Sequence, residues 1–307
     1  MRKSCLQTIY ELAKKNHKIV FIGSDLGPGV LSEFKKKYPK RFFMEGVSEQ
    51  FIIGMSAGLA KEGFIPYVNT ISTFLTRRCF EQIAIDLCLH NLPVKLIGNG
   101  GGLVYAPLGP THQAIEDISI LRTLPNMSII APCDSVEMKK LIQDTVTLKS
   151  PLYVRIAKGG DEILTNEKQK IKFGRGRLML KPKKYLIIST GVMTQISMKA
   201  AKLINRNSSN ACGVIHLSTI KPLDKKILLN WIPKIKRVLT IEENVLNGGF
   251  GSSIMELIAE TSPKDLSKIK RIGLKDRFIT NYGSQEELFE KNQLNVKTIL
   301  EKLNYEI

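Results

Sequence analysis

SEQFIIGMSAGLAKEGFIPYVNT (48–70) decides the fold class. Residues 48–63 read as a helix that Gly63 ends, and IPYVNT (65–70) reads as a short apolar strand. The same alternation runs outward in both directions. Upstream, KIVFIG (18–23) is a strand. Downstream come a helix through RCFEQIAIDLCLHN (78–91), the strands LPVKLIG (92–98) and MSIIAP (127–132), the helix DSVEMKKLIQDTVTL (134–148), which Asp134 or Ser135 can cap, and the strand LYVRIA (152–157). Buried strands separated by helices imply a parallel sheet covered on both faces.

The polar, lysine-rich stretch 163–182 reads as a linker with room for a small hairpin. The strand–helix pattern then resumes with YLIISTG (185–191), CGVIHLS (212–218), RVLTIEE (237–243) and KRIGL (270–274). Helices are predicted near 191–206, 224–232, 251–260 and 293–304. The expected fold is α/β, two domains with mainly parallel sheets flanked by helices, over 1–162 and 183–307. The two share only their class, so no internal repeat is read.

Composition excludes several alternatives. Hydrophobic residues are 43% and charged residues 24% of the 307-residue chain, as in globular proteins. No apolar run approaches the roughly 20 residues of a membrane helix, and MRKSCLQTIYELAKK (1–15) reads as an amphipathic helix rather than a signal peptide. Five scattered cysteines without a C-x-x-C pair fit reduced thiols in a cytoplasm, with no metal held by Cys or His. The net charge of +18 comes from lysines spread along the chain, as in KKKYPKR (35–41) and KIKR (234–237 and 268–271). No nucleic-acid motif accompanies them. They read as solvated faces, or as a field that attracts phosphorylated substrates or an acidic partner subunit.

Four segments carry chemistry. Glu49 opens the helix after EGVS (45–48). A carboxylate there serves as a dipole or capping partner, or as a tuned acid if the small-residue helix behind it (Gly54, Ser56, Ala57, Gly58, Ala60) meets another subunit. Phe74 in STFLTRRCFEQ (72–82) lies at a loop position and is covered by protein core or by a flat ligand ring. GNGGGLVYAPLGPTHQ (98–113) is a glycine-rich loop at a strand end, where α/β folds place ligands. It carries His112 as a surface imidazole or a proton carrier, beside Gln113. VRIAKGG (154–160) sets Arg155 and Lys158 at a strand end, as an anion site or as solvated charges.

Taken in order, GSDL (23–26), GVSEQ (46–50), STFLTRRCFEQ (72–82), GPTHQAIEDI (109–118), LRTLPNMSIIAP (121–132), EENVLNGGFGSSI (242–254) and DRFITNYGS (276–284) resemble the C-terminal half of transketolase. They also resemble 1-deoxyxylulose-5-phosphate synthase and the beta subunit of the 2-oxo acid dehydrogenase first component. The resemblance spans nearly the whole chain. It implies a pyrimidine-binding domain followed by a transketolase C-terminal domain, with thiamine diphosphate as the electron sink. It assigns Glu49 to a ring nitrogen of the cofactor's aminopyrimidine, where it promotes the imino tautomer that deprotonates the thiazolium carbon. It stacks Phe74 on that ring, places Asp25 and Arg78 at the cofactor, and gives His112 and Gln113 to the substrate. Arg2, with Arg155 or Lys158, keeps basic character where the family contacts substrate phosphate.

The family's Gly-Asp-Gly…Asn segment, which holds magnesium and the diphosphate, has no match in this sequence. The resemblance therefore implies a split transketolase: a beta-type chain, homodimeric within an α2β2 tetramer, completed by an alpha-type subunit carrying the magnesium site. Nucleic acid and membrane are not expected partners. Leu108 stands where transketolase has an acid, Gly100 where the family has a base, and Gly29 where it has a phosphate-binding serine. The loop is thus expected to have lost polar contacts and gained space, with ketol transfer between sugars other than pentose phosphates. The alternatives are a 2-oxo acid dehydrogenase beta subunit or a non-catalytic partner of another thiamine enzyme.

Overall fold

The computed structural model describes residues 1–23, 29–44, 46–157, 159–207 and 211–305. Six strands come first: β1 (Ile19–Gly23), β2 (Phe42–Met44), β3 (Ile65–Ile71), β4 (Lys95–Asn99), β5 (Ser128–Ile130) and β6 (Leu152–Ile156). Six follow: β7 (Arg177–Leu180), β8 (Tyr185–Ser189), β9 (Cys212–His216), β10 (Thr219–Lys221), β11 (Arg237–Val245) and β12 (Ile269–Leu274). They form a seven-stranded sheet, β10-β5-β6-β4-β3-β1-β2, and a five-stranded sheet, β12-β11-β8-β9-β7. Apart from β10 and β7, each an antiparallel edge, all pairings are parallel. Strands β1, β4, β6, β8 and β9 are buried along their full length, which explains their unbroken apolar runs. The two-domain α/β architecture is as expected.

The stretch 163–182 departs from the linker expectation. Arg177–Leu180 is the edge strand β7, whose short polar-flanked pattern gave too few residues to read a period. Strand β10 was likewise unread, and it matters more, because a three-residue segment of the second half completes the first sheet against β5. One core accordingly runs through both halves: Leu186, Ile188, Ile215 and Phe250 pack with Ile22, Val68, Leu96 and Tyr153. The helix Ser135–Asp144 starts where expected, with Asp134 accepting from the Val136 and Glu137 N–H groups. The span 78–91 is not one regular helix. Phe74–Arg78 and Ile83–Leu89 are π-helical turns around a single α-turn. Wide turns of this kind are frequent at functional sites.

Candidate active site

The helix Glu49–Lys61 is entered through Gly46 and Val47, both left-handed at φ 62° and 59°. A β-branched residue there is strained, and such strain persists mainly at ligand sites. This turn drops Glu49 into the protein, where it is 2% exposed although it opens a helix. The neighbouring helix end supplies its partner: Arg78 Nη1 donates to Glu49 Oε2 at 2.8 Å. The same guanidinium lies 4.6 Å from the centroid of the Phe74 ring. Gln50 Nε2 donates to the Arg78 carbonyl at 3.1 Å and fixes that backbone.

Phe74 then meets His112, ring centroids 5.2 Å apart at 66°. His112 Nδ1 is 2.9 Å from the Thr111 hydroxyl, and its ring is 6.5 Å from Tyr105. Arg77 holds this loop against the Phe74 turn, donating to the Gln113 carbonyl at 2.9 Å, the Pro110 carbonyl at 3.3 Å and the Glu116 carboxylate. Gln113 is 1% exposed, yet neither atom of its amide has a partner among the described residues. A buried amide left open calls for a water or a ligand. Arg2 closes the row, donating to Tyr105 Oη at 2.7 Å and to Asn99 Oδ1 at 3.1 Å. Glu49, Arg78, Phe74, His112 and Arg2 thus form one continuous strip, joined through Tyr105.

Two expectations are corrected by this geometry. Arg155 is not offered to an anion. It is buried, and its guanidinium pairs with Asp117 at 2.8 Å and Glu243 at 3.8 Å and caps the Ala114 and Glu243 carbonyls. Burial works against its charge, but Asp117 and Glu243 outweigh it and hold the guanidinium charged. The loop 98–113 has not gained space either. A Cβ at Gly100 would lie 2.1 Å from the Tyr105 ring, one at Gly101 2.4 Å from Arg155, and one at Gly102 2.2 Å from the Glu243 carboxyl. The glycines are filled by protein side chains. Asp25 and Lys158 lie outside the described residues.

Sequence reading missed two groups. Glu243 sits between the halves, accepting from the Leu103 N–H and from Gln285 Nε2, both at 2.7 Å. Burial pushes it up to about 7, and Glu242, buried over the Phe250 and Gly251 N–H groups, likewise to about 7. The second is Cys133, Glu137 and His216, whose ligating atoms lie within 4.8 Å of one another in full burial. Arg177 already supplies a cation there, 3.0 Å from Glu137 and 3.2 Å from the Cys133 Sγ. Neither group has a spacing signature, because each is assembled from residues of both halves of the chain.

Residues 1–160 match the family model described as transketolase, pyrimidine binding domain, and residues 174–299 that of transketolase, C-terminal domain. A 1-deoxy-D-xylulose-5-phosphate synthase of Halothermothrix orenii is 39% identical over 89% of this chain and 43% of its own length. The chain thus spans less than half of that relative. A putative transketolase C-terminal section of Methanocaldococcus jannaschii is 33% identical over 100% of this chain and 96% of its own. A solved structure described as a split gene transketolase, inactive beta4 tetramer, superposes with a TM-score of 0.88 at 29% identity, covering 99% of this chain and 96% of that one. The chain belongs to the transketolase family, a family of thiamine-diphosphate-dependent transferases, and corresponds to its C-terminal half.

Proposed function

We propose, from that membership, that this chain is the beta-type subunit of a split, cytoplasmic transketolase that moves a two-carbon ketol unit between sugars. The observation that carries the reading is the guanidinium of Arg78, held between the Glu49 carboxylate and the Phe74 ring. A flat group that donates at its edge and stacks on its face fits there, and an aminopyrimidine is such a group. Thiamine diphosphate, when bound, supplies the carbanion chemistry. The chain's own residues do the rest. Glu49 holds a proton at the ring nitrogen, and Phe74 fixes the ring plane. His112, against the edge of Phe74, reaches the substrate's oxygens, with the open amide of Gln113 behind it.

A magnesium–diphosphate site does not fit the described residues. Their one Cys/His/carboxylate cluster is already neutralised by Arg177. We read that site as belonging to a separate alpha-type subunit, a division in keeping with the putative transketolase C-terminal section of Methanocaldococcus jannaschii, which this chain covers over 96% of its length. The inactivity named for the beta4 tetramer of the solved neighbour supports this division. The exposed side chains of Phe51, Ile85 and Leu89, beside the exposed Gly54 and Gly58, suit a subunit interface within an α2β2 assembly. The test is calorimetry of thiamine diphosphate with magnesium, on the chain alone and with a partner carrying Gly-Asp-Gly…Asn. Weak binding alone and tight binding together are expected. Tight, magnesium-dependent binding to the lone chain would sink the split-site reading.

A further inference from the structure

We propose that Glu243, from the second half of the chain, is a positioning residue for His112: its Oε1 holds the loop 98–113 where His112 meets the Phe74 ring. This rests on the reading above that gives His112 to the substrate, and adds to it a residue that acts through the loop alone.

The hydrogen bond of the His112 ring is to its own neighbour, Thr111, so the loop must set where the imidazole stands. That loop is a run of tight turns. The Ala106 N–H donates to the Leu103 carbonyl at 2.9 Å, the Leu108 N–H to the Tyr105 carbonyl at 2.9 Å, and the His112 N–H to the Gly109 carbonyl at 3.0 Å. Turns linked in this way move together, and what holds Leu103 also holds His112. Glu243 Oε1 holds Leu103. This single oxygen accepts both the Leu103 N–H and Gln285 Nε2 at 2.7 Å, and so joins the loop to the start of the helix Gln285–Lys291. Left-handed Gly102 lets the backbone come this close, since a Cβ there would lie 2.2 Å from the carboxyl carbon. Leu103, Ala106 and Ile115 pack into the second half's core with Ile187, Ile241 and Leu288. Such packing keeps the halves in contact but has no direction, whereas an oxygen between two short N–H donors does. Arg77 fixes the far end of the loop at the Gln113 carbonyl. Oε2, by contrast, is 3.8 Å from Arg155, too long for a hydrogen bond, and Arg155 already has Asp117 at 2.8 Å. A buried carboxyl is a costly way to join halves that share a core. Its distinct contribution is the aim of the loop.

The experiment uses the chain assembled with its diphosphate-binding partner, hydroxypyruvate as ketol donor and D-glyceraldehyde 3-phosphate as acceptor. Rates are taken per bound thiamine diphosphate, so that unfolded chain does not count. Glu243→Ala should lower kcat about tenfold or more, since a misplacement of about 1 Å costs on the order of 10²-fold. The acceptor KM and the thiamine diphosphate Kd should each stay within about threefold, because the lost interaction touches neither ligand. Glu243→Gln keeps an oxygen at Oε1 for both donors while removing the charge, and should hold kcat within about threefold of wild type. Gln285→Ala removes one donor from a half-buried side chain. It should lower kcat about three- to tenfold, as for one lost hydrogen bond, and it decides the matter if Glu243→Ala does not fold. An unchanged kcat per bound cofactor in Gln285→Ala marks a merely structural contact and overturns the inference. A fall in Glu243→Gln as deep as in Glu243→Ala overturns it too, by making the charge beside Arg155 the group that matters. If wild type transfers no ketol unit, it is the ketol-transfer reading that falls. Amide hydrogen exchange of the same complexes then tests the positioning: exchange over residues 103–113 should rise in Gln285→Ala and stay at the wild-type rate in Glu243→Gln, and no rise in Gln285→Ala overturns the inference there as well.

Discussion

Arg78 makes the two contacts that the proposed reading gives to the pyrimidine, so on that reading cofactor binding displaces its side chain. Replacing it with alanine should therefore tighten binding. The size of the effect follows from what is given up. The pair with Glu49 is short, at 2.8 Å, but the Arg78 side chain is 46% exposed. A half-solvated ion pair contributes about 0.2–1 kcal/mol. The guanidinium 4.6 Å from the Phe74 centroid adds about 0.5–1 kcal/mol at such exposure. Together these amount to about 0.7–2 kcal/mol, or roughly 3- to 30-fold in Kd. Gln50 holds the Arg78 backbone carbonyl, so the side chain swings while the turn stays. The assay is calorimetric titration of thiamine diphosphate, with magnesium, into the assembled complex. Arg78→Ala should bind roughly 3- to 30-fold more tightly than wild type. Arg78→Lys, which keeps the charge and loses the plane, should fall between. Weaker binding in Arg78→Ala would refute the reasoning and make Arg78 a direct cofactor contact, as the family resemblance implies.

Glu49→Gln keeps the shape and a hydrogen bond for Arg78 but cannot share a proton with a ring nitrogen. Exchange of the thiazolium C–H proton of bound thiamine diphosphate, followed by NMR in deuterium oxide, should slow on the order of 10²–10⁴-fold, while thermal stability of the chain stays close to wild type. Unchanged exchange would remove Glu49 from its assigned role. The carboxyl of Glu243 is raised from 4.5 to about 7 by burial, so the folded chain holds a proton that the unfolded chain has released between those values. That contribution is fully present below pH 4.5 and is lost as pH rises through about 7, so stability falls across the window. A shift of this size is worth on the order of 3 kcal/mol. Glu243→Gln should flatten the fall in urea midpoint between pH 5 and pH 7.5 by that order, the part due to Glu242 remaining, whereas an identical slope would show that Glu243 stays ionised throughout.

What was legible in the sequence, and what was not, divides along the distance over which a pattern acts. Strands β1, β3, β4, β6, β8 and β9 were readable because a strand buried on both faces must be apolar along its own length. Glu49, Phe74 and His112 stand out because each sits in a local signal (a helix start, a strand end, a glycine loop), and the structure brings them into one strip. The features that failed are all defined by a partner far away in the chain. Arg155 reads as a free strand-end cation until Asp117 and Glu243 are seen around it. The run Gly100–Gly102 reads as room for a ligand, and no local rule says that Tyr105, Arg155 and Glu243 fill it. The physical content is opposite in the two readings. A loop with spare room would tolerate larger side chains, whereas this one excludes them, since Gly102 is left-handed at φ 67° and faces the Glu243 carboxyl besides. The glycines therefore bring the first half's loop 98–113 hard against a carboxylate and an arginine that join the two halves. His112 and Tyr105 inherit their positions from that contact, so the second half, which contributes none of the assigned catalytic side chains, still decides where they stand.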